Sequence, residues 1–184
     1  MILSVSRRTD IPAFYSDWFY NRIKEGEVYV RNPMDPHKVS SITLSPDNID
    51  CIVFWTKNPS DSFISNLIIL NDLKIPYYFQ FTITSYNQTI VPKKNEIIEK
   101  FIKLSQKVGK EKIIWRYDPI FFNEIYTLDY HKKYFTYLLE HLYKYTNKCI
   151  FSYLDFYKKI KKNIDINKIS ELNENDEIEI ASYM

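Results

Sequence analysis

Glycine is nearly missing from this chain, with only two among 184 residues. Phosphate loops and dinucleotide fingerprints need several glycines within one short run, so both are excluded. Cysteine is as scarce. Cys51 and Cys149 stand far apart, each at the edge of an apolar run, which leaves no disulfide framework and no CxxC metal pair. No apolar run approaches the ~20 residues of a membrane span. Met1 leads straight into strand-like residues rather than into the charged start and apolar stretch of a signal peptide. Excess charge is lacking too: the net value is +2, too small for a global field toward nucleic acid or membrane. These absences point to a soluble, cytoplasmic protein without a membrane partner, whose positive features are local.

What is present is organised around Cys51–Pro59, CIVFWTKNP. Five apolar or aromatic residues run into Thr56-Lys57-Asn58 and stop at Pro59, which cannot donate to a strand ladder. A continuous apolar run of this length suits a strand buried on both faces, as in parallel sheets covered by helices. Lys57 and Asn58 then sit past the carboxyl end of a buried strand, where α/β folds bind ligands. The pattern recurs as Ile2–Ser6 before Arg7-Arg8-Thr9-Asp10, Val28–Val30 before Arg31-Asn32-Pro33, and Ile113–Trp115 before Arg116-Tyr117-Asp118-Pro119. The intervals from Asp10 to Asn32 and from Asn32 to Asn58 each fit one βα unit. That from Asn58 to Asp118 fits two, with Tyr77–Thr84 as the strand between.

Taken in order, the spacing predicts strands at Ile2–Ser6, Glu27–Val30, Cys51, Tyr77–Thr84, Lys112–Trp115 and Cys149–Leu154. Helices are predicted at Ala13–Glu25, where Phe14, Trp18, Phe19, Arg22 and Ile23 repeat at helical spacing, and at Ser60–Leu73, Asn95–Val108 and Leu128–Tyr145. Val39, Ser41 and Thr43 alternate as in a short extra strand, a departure from simple βα repetition. Asn173–Met184 reads as a last helix. The fold expected is a single α/β domain, a partial or open (β/α) TIM-like barrel of about six parallel strands. At 184 residues it is short of the ~250 that a full eight-unit barrel takes.

The strand ends carry the chemistry. Arg7, Arg8, Arg31, Lys57 and Arg116 put up to five positive charges at one rim, with Asp10, Asn32, Asn58, Asp118 and Asp155 among them. Arginine's planar fork grips phosphate or carboxylate with two bonds, so a bound anion would relieve the repulsion. A salt-bridged rim, sealed by Arg7–Asp10 and Arg116–Asp118 pairs, is the alternative. Gln80 and Thr82 share one face of their strand, and Trp55 could stack on a base or pack in the core. His37, His131 and His141 have no metal spacing and read as structural or surface residues. Ser6 lacks a Gly-x-Ser-x-Gly context. The lysine group Lys158, Lys159, Lys161 and Lys162 reads as a solvated helix start.

SRRTDIPAFY (6–15), YVRNPMDPHKVS (29–40), LSPDNIDCIVFWTKNP (44–59), PYYFQFTIT (76–84) and IIWRYDPI (113–120) together closely resemble the bacterial family of domain of unknown function 1848. The likeness spans nearly the whole chain. Members of that family resemble radical S-adenosylmethionine enzymes, with a C-terminal cysteine cluster that holds a [4Fe–4S] centre. The resemblance therefore implies a [4Fe–4S] cluster and S-adenosylmethionine for full-length members and no cofactor in these residues, since two separated cysteines cannot replace three clustered thiolates.

It leads to the substrate-binding portion of a radical-type enzyme acting on an anionic substrate, nucleic acid or nucleotide-like compounds included. In that assignment Arg7, Arg8, Arg31 and Arg116 hold the anion, and Asn32, Trp55, Asn58, Gln80 and Thr82 complete the binding set. Lys57, Asp10, Asp118 and Asp155 take the catalytic places. A cofactor-free anion- or nucleic-acid-binding barrel is the competing expectation. The chain is expected to be C-terminally truncated and inactive alone, with an open edge after Cys149–Leu154 that the tail covers or that pairs two copies.

Overall fold

A computed structural model describes residues 1–6, 9–86, 93–157 and 160–184. They form two compact units, Met1–Phe81 and Thr82–Met184. The first contains β1 (Ile2–Val5), α1 (Ile11–Phe14), α2 (Ser16–Glu25), β2 (Glu27–Arg31), β3 (Val39–Thr43), β4 (Cys51–Thr56), α3 (Asp61–Ser65), α4 (Leu67–Asp72) and most of β5 (Tyr77–Thr82). The second contains α5 (Lys94–Val108), β6 (Ile113–Ile120), α6 (Leu128–Leu142), β7 (Lys148–Tyr153), α7 (Lys161–Ile166) and α8 (Glu174–Tyr183). The parallel sheet has five strands in the order β1-β4-β5-β6-β7, with β1 and β7 as its edges.

In the first unit β4 lies between β1 and β5, both parallel to it. Ile52 and Phe54 are fully buried and Val53 is 5% exposed, which explains the unbroken apolar run. Phe54 is the hub of an aromatic cluster. Its ring stands 5.3 Å from Phe19, 5.0 Å from Phe63 and 5.1 Å from Phe79. Phe19 comes from α2 and Phe63 from α3, so both helices lie against this face. Ser60 caps α3 by accepting from the Phe63 N–H at 3.1 Å. The Tyr20 hydroxyl donates to the Phe63 carbonyl at 2.9 Å, and burial pushes its pKa up.

The second unit pairs β6 with β7 in parallel. Trp115 stacks on Phe135 of α6 at 4.9 Å and donates its indole N–H to the Ile83 carbonyl at 3.0 Å. His131, fully buried on α6, lies between Tyr117 and Phe121. Its Nε2 is 3.0 Å from the Phe121 carbonyl, which can only accept. Nδ1 therefore accepts from the Tyr117 hydroxyl, 2.9 Å away. Desolvation lowers the His131 pKa below its ordinary value of 6.5. The histidine is a neutral core residue.

Three expectations are corrected. The sheet is open, with β1 and β7 as its edges, but it has five strands rather than about six. The segment predicted as a second parallel strand is β2, which instead pairs antiparallel with β3. Its turn explains why: the Asn32 N–H reaches the Lys38 carbonyl at 2.8 Å and Asn32 Oδ1 accepts from Met34 N–H at 2.9 Å. That is a local hairpin loop, with asparagine mimicking a backbone turn. Arg116 and Asp118 lie inside β6 rather than beyond it. Pro119 is accommodated where the β6–β7 register shifts between Tyr117 and Ile120.

Replacing Phe63, fully buried against Phe19, Tyr20, Phe54 and Phe79, with alanine should destabilise the protein by roughly 3–5 kcal/mol in urea unfolding, because it leaves a cavity in the aromatic cluster. A loss below about 1 kcal/mol would show that the cluster is not the core of this unit. His131 gives a pH test. Its folded pKa is depressed, so below pH 6.5 the unfolded chain binds the extra proton first and stability falls with acidification. The slope contributed is up to about 1.4 kcal/mol per pH unit until the folded pKa is passed. A His131→Gln variant should lose that part of the slope; an unchanged slope would mean the ring is charged or solvated when folded.

Candidate functional site

The first unit contains a cleft of about 630 Å³. One wall is α2. Trp18 and Arg22 stand at i and i+4, one stripe along the helix, with Tyr15 at its N-cap, while Phe19 and Ile23 of the same helix are buried. The opposite wall is the hairpin, with Val28, Tyr29, Val30 and Arg31 of β2 and Ile42 of β3. Leu3, Val5 and Leu44 make an apolar floor, and Ser6 and Thr9 add hydroxyls at one end. Tyr15 and Trp18 are 49% and 46% exposed, so aromatic rings flank the helical side of the cleft.

Arg22 is the unusual member. Its Nη2 donates to Glu25 Oε1 at 2.7 Å, but its Nε is buried and has no hydrogen-bond partner. An unmet donor on a charged group costs about 1–3 kcal/mol or more, so it marks a place where an acceptor would be stabilising. Ser6 is the second unusual residue. Its φ is +88°, a left-handed conformation that serine rarely adopts. Its hydroxyl accepts from the Ile11 N–H at 3.2 Å, which helps to hold the bend. Strain of this kind at the end of a strand is a common companion of ligand sites.

Asp10 fixes the geometry. Its Oδ1 caps α1 by accepting from Ala13 N–H at 3.1 Å. Its Oδ2 accepts from the Thr56 hydroxyl at 3.0 Å and from the Lys57 N–H at 2.8 Å. The carboxylate thus joins the end of β4 to the start of the helical wall. The Asn58 N–H donates to the Thr56 hydroxyl at 3.2 Å, and the Lys57 side chain is exposed.

Arg31 lines the cleft, and Asn32 follows it in the hairpin turn. Trp55, 37% exposed, pairs in register with Gln80 on the face of the ladder opposite Phe54. Gln80 is 7% exposed, and its Oε1 is buried without a partner. Arg7 and Arg8 lie outside the described residues, as do Lys158 and Lys159. Of the expected set in this unit, the structure joins Asp10 with Lys57 and Trp55 with Gln80.

In the second unit Arg116 forms an ion pair with Asp118, two residues along the same strand and so on the same face. Their side chains are 16% and 17% exposed. Thr82, at the end of β5, is half-buried, and Asp155 is exposed beyond β7. The thiols do not suit an iron–sulfur centre. Burial pushes Cys51 up and Cys149 up to about 12, so both are protonated at neutral pH, and two cysteines cannot supply three thiolates. Among the described residues no group of three or more His, Cys, Asp or Glu side chains is placed to hold a metal ion. No helix among them is long and apolar enough to cross a membrane.

Sequence reasoning missed Tyr15, Tyr29, Thr9 and above all Arg22. The signal was present, since Arg22 occupies a place in the helical repeat with Trp18 and Phe19. It was absorbed into the apolar pattern instead of being read as a charge on a half-buried face.

No curated protein and no solved structure matches the chain. The family model described as Domain of unknown function (DUF1848) matches residues 2–184. The aromatic-flanked cleft, the Asp10 bracket and the Arg116–Asp118 pair are therefore features of a chain that belongs to the DUF1848 family.

Proposed function

We propose that the first unit binds an anionic ligand in its cleft, as the substrate-binding part of an enzyme. The observation that carries this is the buried, unpartnered Nε of Arg22 in a cleft also lined by Arg31. A guanidinium in a concave, largely apolar site suits phosphate or carboxylate. The volume falls within the ~300–1,000 Å³ of small-molecule sites.

The family resemblance supports an enzyme class, a radical S-adenosylmethionine reaction with a [4Fe–4S] cluster. In that reading the open α/β sheet is part of a TIM-like barrel in a cytoplasmic bacterial protein. Residues 1–184 contribute binding and orientation, since their two thiols do not fit the cluster. Asp10 acts by holding α1 and β4 together, so its removal alters the shape of the cleft rather than a proton transfer.

Calorimetry with inorganic pyrophosphate tests the reading. Arg22→Gln should weaken binding by about 1.5–3 kcal/mol, the size of a charge-assisted hydrogen bond. Thermal stability should be little changed, because the side chain is 28% exposed and the lost pair with Glu25 is a surface one. Absence of pyrophosphate binding, or equal binding by the variant, would remove the cleft as the anion site.

A further inference from the structure

We infer that the ligand of this cleft is a nucleotide, with its base against the aromatic stripe of α2 and its phosphate at Arg22. This rests on the anion reading above and adds the chemistry of the rest of the ligand. A lone inorganic anion leaves most of about 630 Å³ unfilled. What surrounds Arg22 is aromatic and apolar rather than further charge. Arg22 follows Trp18 by four on α2, and Tyr15 precedes the helix at its N-cap, so this wall offers two rings and a guanidinium. Across the cleft the hairpin presents Val28 and Val30 of β2 and Ile42 of β3, an apolar wall against which the other side of a flat ring can pack.

A ligand matched to both walls carries a flat ring and an anion a few ångströms apart, as a nucleoside monophosphate does. Exposed tryptophan and tyrosine faces accept any base by stacking, so the site is expected to tolerate different bases. The hydroxyls of Ser6 and Thr9 at the end of the cleft suit the sugar or a second phosphate oxygen. The Ser6 bend is then a constraint that places a hydroxyl at the cleft. Aromatic carboxylates share part of this chemistry, and the test separates them.

The experiment titrates the 184-residue chain with adenosine monophosphate, uridine monophosphate, inorganic phosphate and indole-3-acetate, following calorimetry and tryptophan fluorescence. Both nucleotides should bind at least 10-fold tighter than phosphate and quench Trp18. Trp18→Ala should remove about 10-fold or more of nucleotide affinity and leave phosphate affinity unchanged, while Trp18→Phe retains most of the gain. Circular dichroism confirms that each variant is folded, as expected for a residue 46% exposed. Phosphate binding that depends on Arg22, with no gain from the nucleotides, would overturn the nucleotide assignment and leave the anion site standing. Tighter binding of indole-3-acetate than of either nucleotide would overturn it in favour of an aromatic carboxylate. Failure of all four ligands to bind would overturn both readings.

Discussion

The first unit depends on one carboxylate. Asp10 accepts from the Ala13 N–H at the start of α1, and from the Thr56 hydroxyl and Lys57 N–H at the end of β4. The Ser60 N–H donates to the Pro12 carbonyl at 2.9 Å and adds a backbone link between the same two segments. These bonds help to set the direction in which α1 and α2 leave the sheet. With them, Phe19 is directed into the Phe54–Phe63 cluster and the opposite stripe of α2 faces the hairpin. Core and cleft are two faces of one helix, so the packing that stabilises the fold also positions Arg22.

Much of this was legible. The apolar run of β4 is buried on both faces, as its composition requires, and Gly26 and Gly109 end α2 and α5 at positive φ, where other residues would be strained. The errors have physical causes. A strand followed by base, asparagine and proline looks the same whether the next element is a helix or a returning strand. Glu27–Arg31 shows the difference only in its burial, with Val28 inside and its other residues exposed, the mark of a hairpin rather than a central strand. In the sequence Pro119 reads as a stop, which puts Arg116 and Asp118 past a strand end. The ladder instead bends around Pro119 and continues to Ile120.

The site was legible only in part for a related reason. Strand-end bases are easy to find in a sequence, whereas Arg22 lies on a helix, and its role depends on a buried atom rather than on spacing. Arginine can lay its stem along apolar neighbours while the head group keeps a polar role, so it passes unnoticed within an amphipathic repeat. The orphaned Nε distinguishes it from an arginine that merely covers the surface.

That atom also gives the most direct test of the account. In a proton–nitrogen correlation spectrum of arginine side chains, the Arg22 Nε–H signal, assigned by its loss in an Arg22→Lys variant, should be followed as pyrophosphate is added. The account predicts a saturable downfield shift of this signal as the Nε–H gains an acceptor. An Arg22 signal unmoved at saturation, with the shift at another arginine or at none, would contradict it.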